Sequence, residues 1–189
     1  MAEVTRFSLD ARTLRVEFVA SLGPLPVRGR FTDVQGTLVI PGADIERATL
    51  AVSVAAASLD TGLPMRDRHL RGPSFLDVAH HPRITFASRR VHRENGELRV
   101  AGALDLCGHM RDILAFCPVS RVDGEGVGGH IALCGAFELP VREHGIGIPR
   151  GIDRLNPIFL VVGRRVRVEV SLVVAATRLL PALLPALGR

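Results

Sequence analysis

The stretch VRVEVSLVV, residues 166–174, alternates apolar and polar side chains over most of its length. Because successive side chains of a β-strand point to opposite faces, a period of two predicts a strand with one buried face. The same alternation recurs at residues 14–18, 50–54, 98–106 and 131–139. Helical periodicity is scarce, so the chain is predicted to be all-β.

Turn residues separate these runs. ENGE at 94–97 is typical of a two-residue hairpin, and DGEGVGG at 123–129 of a longer glycine loop. We expect about eight strands, which could form a sandwich or a barrel, and we predict the barrel because closure removes exposed edges. The predicted fold is therefore an eight-stranded antiparallel up-and-down barrel, lipocalin-like, with a short helical segment near 64–76.

A single domain is expected, because 189 residues with 47% hydrophobic content can bury a sizeable core. We assign residues 1–176 to the barrel and 177–189 to a C-terminal tail rich in Leu and Pro. Prolines interrupt the tail sequence RLLPALLPALGR, so it is not expected to be one clean helix.

The charge of the chain bears on its partners. All 24 basic residues are arginine, against 19 carboxylates, which gives a formal net charge of +5. Arginine suits phosphate and carboxylate groups, but Trp and Tyr are absent and Phe numbers only eight, so stacking platforms for nucleic acid are mostly missing. We expect no nucleic-acid partner; anionic small molecules or lipid head groups fit the composition better.

Neither a secretory signal nor a transmembrane run stands out in the sequence, so we expect a cytoplasmic protein. The cysteines, Cys107, Cys117 and Cys134, are odd in number and lack CxxC spacing. They are therefore expected to be reduced thiols, mostly packed in the interior.

Motifs for catalysis or cofactor binding are weak. Gly124, Gly126 and Gly129 match G-x-G-x-x-G, but a strand pattern follows them where the motif needs a helix. A metal site at His69, Asp77 and the adjacent His80 and His81 is disfavoured, because neighbouring strand residues point apart. No nucleophile elbow or HExxH motif occurs. We predict no catalytic residue, no metal and no cofactor other than a bound lipid.

One segment, LDTGLPMRDRHLRGPSFLDVAHHPRITFAS at 59–88, closely resembles the signature of the YceI-like family of lipid-binding proteins. Its parts are Asp60-Thr61-Gly62, Arg66-Asp67-x-His69-Leu70, Phe75-x-Asp77, and Pro82 leading into Ile84-Thr85-Phe86-x-Ser88. Further similarities bring the resemblance to about residues 7–175.

The resemblance implies a bacterial carrier or sequestering protein that holds a polyisoprenoid, an isoprenoid quinone or a fatty-acyl chain in the pore of a barrel. Small residues at inward positions, such as Gly102 and Gly135, would either make room for such a chain or bend the strands. The residues expected to contact the ligand are Leu14, Val16, Phe18, Phe31, Arg66, His69, Leu70, Phe75, Phe86, Val100, Leu104, Leu133 and Phe137.

The charged block at 66–71 admits two interpretations. Arg66 and Asp67 could pair and brace the mouth of the barrel, or Arg66 and His69 could bind a lipid head group. The segment 142–163 is rich in Pro and Gly and could form a lid. A pocket isomerase or cyclase is the alternative function, with His69 or Asp67 as acid or base, and a homodimer is one option for the oligomeric state.

Overall fold

A computed structural model describes residues 4–22, 24–122, 130–147 and 162–175, together with Leu179 and Ala182. The glycine loop at 123–129 and the larger part of the predicted lid lie outside the described residues. Within those ranges, no helix has the length and apolar character needed to cross a membrane.

One curled antiparallel sheet of eleven strands forms the described fold. The prediction of eight strands was therefore wrong. Short or interrupted strands explain the difference: β6 has two residues, and β3 carries Pro26 and Gly29, which weaken a strand pattern. The strands are β1 (Val4–Leu9), β2 (Leu14–Leu22), β3 (Leu25–Phe31), β4 (Val34–Pro41), β5 (Thr49–Ala55), β6 (Leu59–Asp60), β7 (Arg83–Glu94), β8 (Glu97–Leu106), β9 (His109–Val122), β10 (His130–Pro140) and β11 (Val162–Ala175).

The strand order is β1-β4-β5-β7-β8-β9-β10-β11-β2-β3-β6, which corrects the predicted up-and-down barrel. Strands β1 and β2 are joined by a tight turn, in which the Asp10 carbonyl accepts hydrogen bonds from the amides of Thr13 and Leu14 at 3.0 and 2.8 Å. The two strands do not pair with each other. Strand β1 then pairs with β4, while β2 pairs with β11. Strand β2, early in the chain, and β11, the last strand of the described residues, therefore lie side by side.

Gly36 shows how far the sheet curls. This residue lies in β4, near the start of the strand order, yet a Cβ atom built on it would lie 3.4 Å from Leu14 of β2, near the other end. The same Cβ would lie 2.7 Å from the Ala51 carbonyl oxygen, closer than real Cβ atoms come. Glycine therefore allows the close approach, and the inner face of the sheet wraps around an interior.

The helix is shorter than predicted. Helix α1 spans Pro64–Leu70, and residues 71–76 form turns instead. Proline at the first helical position is favourable because its missing N–H would have no partner there. At the other end, the Arg71 amide donates to the Asp67 carbonyl and the Gly72 amide donates to the His69 carbonyl, both at 3.0 Å. Glycine soon after the last turn favours termination.

Two apolar clusters lie in the interior of the sheet. The larger one includes Leu14, Ile40 and Ile131, and the smaller one includes Phe75 and Leu104. From the tail, Leu179 and Ala182 are buried in the larger cluster. These two tail residues therefore contribute to the core of the sheet.

Candidate functional site

A cavity of about 330 Å³ lies inside the curled sheet and touches both apolar clusters. Phe31, Ile84 and Val168 are partly buried, and each packs against both clusters. Their side chains therefore lie where the two clusters meet along the cavity. The volume falls within the range of small-molecule pockets, about 300–1,000 Å³.

Every residue predicted to contact a ligand lies on the wall of this cavity. Strand residues from the larger cluster, such as Leu14, Val16 and Leu133, line one part of it. Residues in or against the smaller cluster line the other, and these are Phe18, Phe31, Leu70, Phe75, Phe86, Leu104 and Phe137. Val100 packs against the larger cluster. Contact of these residues with a ligand stays a prediction, but their common position is a structural finding.

Period two explains why the strand residues converge. The even-numbered residues of β2, from Leu14 to Phe18, point inward, while Arg15 and Glu17 are exposed. Phe18 and Phe31 of the neighbouring strand bring their ring centroids to 5.8 Å in a tilted arrangement. Tilted aromatic pairs of this spacing are favourable, so the two rings form a fixed part of the wall.

The charged block is organised around Thr61. The buried carboxylate of Asp67 accepts from the Thr61 amide at 3.0 Å and from the Thr61 hydroxyl, its Oδ1 taking both bonds. Arg66 donates from Nε to the Thr61 hydroxyl oxygen at 2.7 Å and from Nη2 to the Thr61 carbonyl at 2.9 Å. The Thr61 hydroxyl thus stands between Arg66 and Asp67, in place of the direct pair proposed from the sequence.

These contacts fasten helix α1 at the wall of the cavity. Arg71 adds a hydrogen bond from Nη2 to the Leu59 carbonyl, and His69 places its ring edge-on to Phe75, with 5.0 Å between centroids. Arg66, His69 and Leu70 consequently face the cavity from the helix. Arg66 and His69 thereby bring polar groups to a wall that is mostly apolar.

Sequence reasoning missed several wall residues. Val168 lies on the alternating face of β11 and could have been included by periodicity alone, and Ile84 lies two residues before Phe86 on β7. Cys117 also lines the cavity, and burial raises the pKa of its thiol to about 12. A thiol with that pKa stays protonated at neutral pH, so Cys117 acts as a small apolar wall residue.

The residues considered for a metal site serve other contacts. His80 bonds through Nδ1 to Asp77 Oδ1 at 2.9 Å, and His81 lies against Gly108. Among the residues that the structure describes, no group of three or more His, Cys, Asp or Glu side chains is placed to hold a metal ion.

His144 is a buried titratable group outside the cavity wall. It follows β10 in a short 3-10 turn, is fully buried, and its Nδ1 lies 3.1 Å from the His109 carbonyl oxygen, to which a protonated Nδ1 donates. Burial lowers the pKa of His144 below its usual value of 6.5, because desolvation disfavours the imidazolium. The folded protein therefore favours neutral His144.

This gives the expected pH dependence of stability. In the unfolded chain, His144 takes up a proton as the pH falls below about 6.5. In the folded chain, the lowered pKa keeps His144 neutral at the same pH. The free energy of unfolding therefore decreases as the pH is lowered through this window. We expect His144→Asn, which keeps a donor near Nδ1 but cannot titrate, to flatten the fall in Tm between about pH 7.5 and pH 5. Thermal melts of both proteins across this range test it. An unchanged slope in a folded variant would contradict the assignment, and exposed His92→Asn serves as the control.

The sequence and the fold both resemble those of known proteins. The family model of the YceI-like domain matches residues 7–174, nearly the whole described sheet. The chain belongs to the YceI-like family. This confirms the resemblance of the 59–88 segment.

Relatives of the YceI-like family support the assignment. A UPF0312 protein of Vibrio cholerae is 30% identical over 132 residues, covering 69% of this chain and 70% of that protein. Protein YceI of Salmonella arizonae is 36% identical over 90 residues, covering 48% of this chain and 47% of that protein.

Solved structures share the YceI-like fold at lower identity. Burkholderia cenocepacia BcnA superposes with a TM-score of 0.72 at 18% identity, covering 85% of this chain and 96% of that chain. A polyisoprenoid binding domain from Saccharophagus degradans gives a TM-score of 0.65 at 17% identity, covering 90% and 98%. At these identities the likeness concerns the fold.

Proposed function

We propose that the protein binds a hydrophobic, chain-like small molecule in the cavity of its curled sheet, and that it carries or sequesters this molecule without transforming it. The observation that carries the proposal is the wall itself, because nearly all of its side chains are aliphatic or phenylalanine. Such a wall offers dispersion contacts and apolar burial to a ligand but few hydrogen bonds.

The size of the cavity indicates that it binds a ligand and is not merely a space left by imperfect packing of the side chains. An apolar space of about 330 Å³ is far larger than the few water-sized voids that packed protein interiors contain. Interiors are otherwise filled by side chains, so a space of this size and apolar character favours a binding role.

A hydrocarbon chain suits the space best. Each buried CH₂ group contributes about 0.8 kcal/mol, so about a dozen carbons give roughly 10 kcal/mol before association costs, which fits micromolar binding. Polyisoprenoids, isoprenoid quinones and fatty-acyl lipids all provide such chains. The binding domain from Saccharophagus degradans is described as polyisoprenoid-binding, which makes an isoprenoid the first candidate.

The polar end of the ligand is proposed to lie beside helix α1. Burying a polar group against the aliphatic wall would cost several kcal/mol without a partner, whereas Arg66 and His69 line the cavity at the helix. Arg66 uses Nε and Nη2 for Thr61, and a guanidinium has five N–H donors in all. Arg66 can therefore keep its hydrogen bonds to Thr61 and still donate to the polar end of a ligand.

Native mass spectrometry of protein purified without detergent tests the proposal. We expect a bound species whose mass matches an intact isoprenoid or acyl lipid and which is released on denaturation. A matched preparation of Gly135→Leu, which places a side chain in the cavity, should carry little or none of it. Protein that co-purifies with no lipid, and takes up none when pyrene-labelled hexadecanoic acid is added, would refute the proposal. Turnover of an added lipid would instead favour the isomerase or cyclase alternative.

A further inference from the structure

Consecutive apolar side chains project into solvent at the start of helix α1. Leu63 is 54% exposed and Met65 84% exposed, and Pro64 between them is exposed too. Single exposed apolar residues are ordinary on protein surfaces. A consecutive group on a helix that lines a lipid-sized cavity calls for an explanation.

The orientation of α1 holds these side chains outward. Asp67 is 6% exposed and fixed to Thr61, and Arg66, His69 and Leu70 face the cavity. Residues three apart share a helix face, so Met65 and Arg68 lie together on the solvent side. The outer side of the helix therefore pairs an apolar side chain with a cation.

A further exposed apolar side chain lies in the neighbouring strand β3. A Cβ atom built on Gly29 would lie 2.9 Å from Thr61 Cγ2, and Gly62 and Arg28 line the same surface pocket, so the residues that lead into α1 lie beside β3, the strand that begins at Leu25. Leu25 is 65% exposed. Ser21, opposite Pro26, is exposed and also lines the cavity, so the cavity reaches the surface at this end.

The two segments that meet here carry more arginines than carboxylates. Residues 24–30 and 60–71 hold Arg28, Arg30, Arg66, Arg68 and Arg71, against Asp60 and Asp67. Asp60 is bound to Arg30 at 3.0 Å, and Asp67 is buried. Arg68 is exposed on the same helix face as Met65, and Arg28 is exposed on the outer face of β3, where Glu17 and Glu169 line the same surface pocket.

We propose that this end of the protein, defined here as the docking rim of Leu25, Arg28, Leu63, Met65 and Arg68, binds the surface of an anionic lipid bilayer. The apolar side chains would enter the boundary between head groups and acyl chains, and the arginines would contact anionic head groups. In the docked protein, the opening of the cavity would lie against the bilayer, which contains lipids that could enter it. The inference rests on the proposed function, since it supplies the route by which the cavity exchanges its ligand.

Sedimentation with vesicles tests the docking rim. We expect the protein to bind vesicles of equal parts phosphatidylcholine and phosphatidylglycerol, and to bind phosphatidylcholine alone much more weakly. Leu63→Ser combined with Met65→Ser should lower the partition coefficient at least about tenfold, because two exposed apolar side chains no longer enter the boundary. Arg68→Gln should lower it about fivefold, and raising the ionic strength from about 0.1 M to about 1 M should weaken binding of the parent protein.

The chain offers a matched control on another surface. Met110 and Leu114 of β9 are 60% and 42% exposed and are absent from the cavity wall. Met110→Ser combined with Leu114→Ser removes comparable apolar surface and should leave vesicle binding within about twofold. No binding of the parent protein to anionic vesicles, or an equal loss in both double variants, would overturn the proposal.

A transfer assay separates this proposal from the proposed function. Pyrene-labelled hexadecanoic acid is offered either from dilute ethanol or from the anionic vesicles. The Leu63→Ser, Met65→Ser variant should take it up normally from ethanol but several-fold more slowly from vesicles. If the parent protein takes up the fatty acid from neither source, the proposed function is wrong. Sedimentation with vesicles would still show whether the docking rim binds the bilayer. Equal transfer rates from vesicles for parent and variant would count against the docking rim.

Discussion

Replacing Gly135 with leucine is expected to abolish uptake of pyrene-labelled hexadecanoic acid while leaving the sheet folded. Gly135 lies in β10 and lines the cavity, and a Cβ built on it would meet only the Cβ atoms of Ala115 and Cys117, at 3.8 and 3.9 Å. Both distances are ordinary contacts, so a side chain can start there without moving the backbone. The rest of the leucine then occupies space that the ligand needs.

A graded series makes this result interpretable. Gly135→Ala should retain uptake, Gly135→Val should reduce it, and Gly135→Leu should remove it, with circular dichroism and Tm measured for each. Overpacking can cost about 1 to 3 kcal/mol, so a modest fall in Tm is consistent with the expectation. Cys134→Leu adds a similar side chain at the exposed neighbouring position and should leave uptake unchanged. Full uptake by a well-folded Gly135→Leu protein would show that the ligand does not use this part of the cavity.

Gly102 looks equivalent to Gly135 in the sequence but differs in the structure. Both were expected at inward positions, yet a Cβ on Gly102 would lie 2.6 Å from the Phe86 ring and 2.4 Å from the Ala87 carbonyl oxygen. Phe86 therefore covers Gly102, whereas Gly135 faces open space. Alternation predicts the face of a strand but not the conformation of a side chain on the neighbouring strand, so the sequence could not distinguish the two glycines.

The wall of the cavity was predictable because it depends on local periodicity. Residues such as Val16, Val100 and Leu133 follow from period two as soon as one face is taken as inward. The strand order depends on long-range pairing, and the turn that separates Leu9 from Leu14 carries no sign that the two strands join distant parts of the sheet. That is why the number of strands and their order were wrong while the wall residues were found.

The role of Thr61 illustrates the same limit at the charged block. The sequence shows Arg66 and Asp67 as neighbours, which suggests a pair. On a helix, however, adjacent residues point about 100° apart, so Asp67 turns into the interior and Arg66 toward the cavity. The preceding turn places the Thr61 hydroxyl between them.

Asp67→Ala is expected to cause a large loss of stability. The substitution removes the acceptor of two hydrogen bonds and leaves the Thr61 amide and hydroxyl without it at a largely buried position. Losing a charged acceptor there should lower the free energy of unfolding by about 2 to 4 kcal/mol, which for a domain of this size lowers Tm by about 5 to 15 °C. Urea and thermal denaturation measure both quantities.

Two companion variants decide whether the block braces the fold or binds the ligand. Asp67→Asn keeps an oxygen at the Oδ1 position and should recover much of the stability lost in Asp67→Ala. Arg66→Ala removes two partly exposed hydrogen bonds and should cost about 1 kcal/mol, with uptake per folded molecule lowered by no more than a few-fold, because His69 still offers a polar group at the same part of the cavity. A salt-sensitive loss of fatty-acid binding by Arg66→Ala at unchanged Tm would show instead that Arg66 acts mainly on the head group. The hydrogen bonds between Thr61 and Asp67 also hold α1 at the cavity wall. If the helix controls access to the cavity, we expect Asp67→Ala to release its ligand faster than the parent protein.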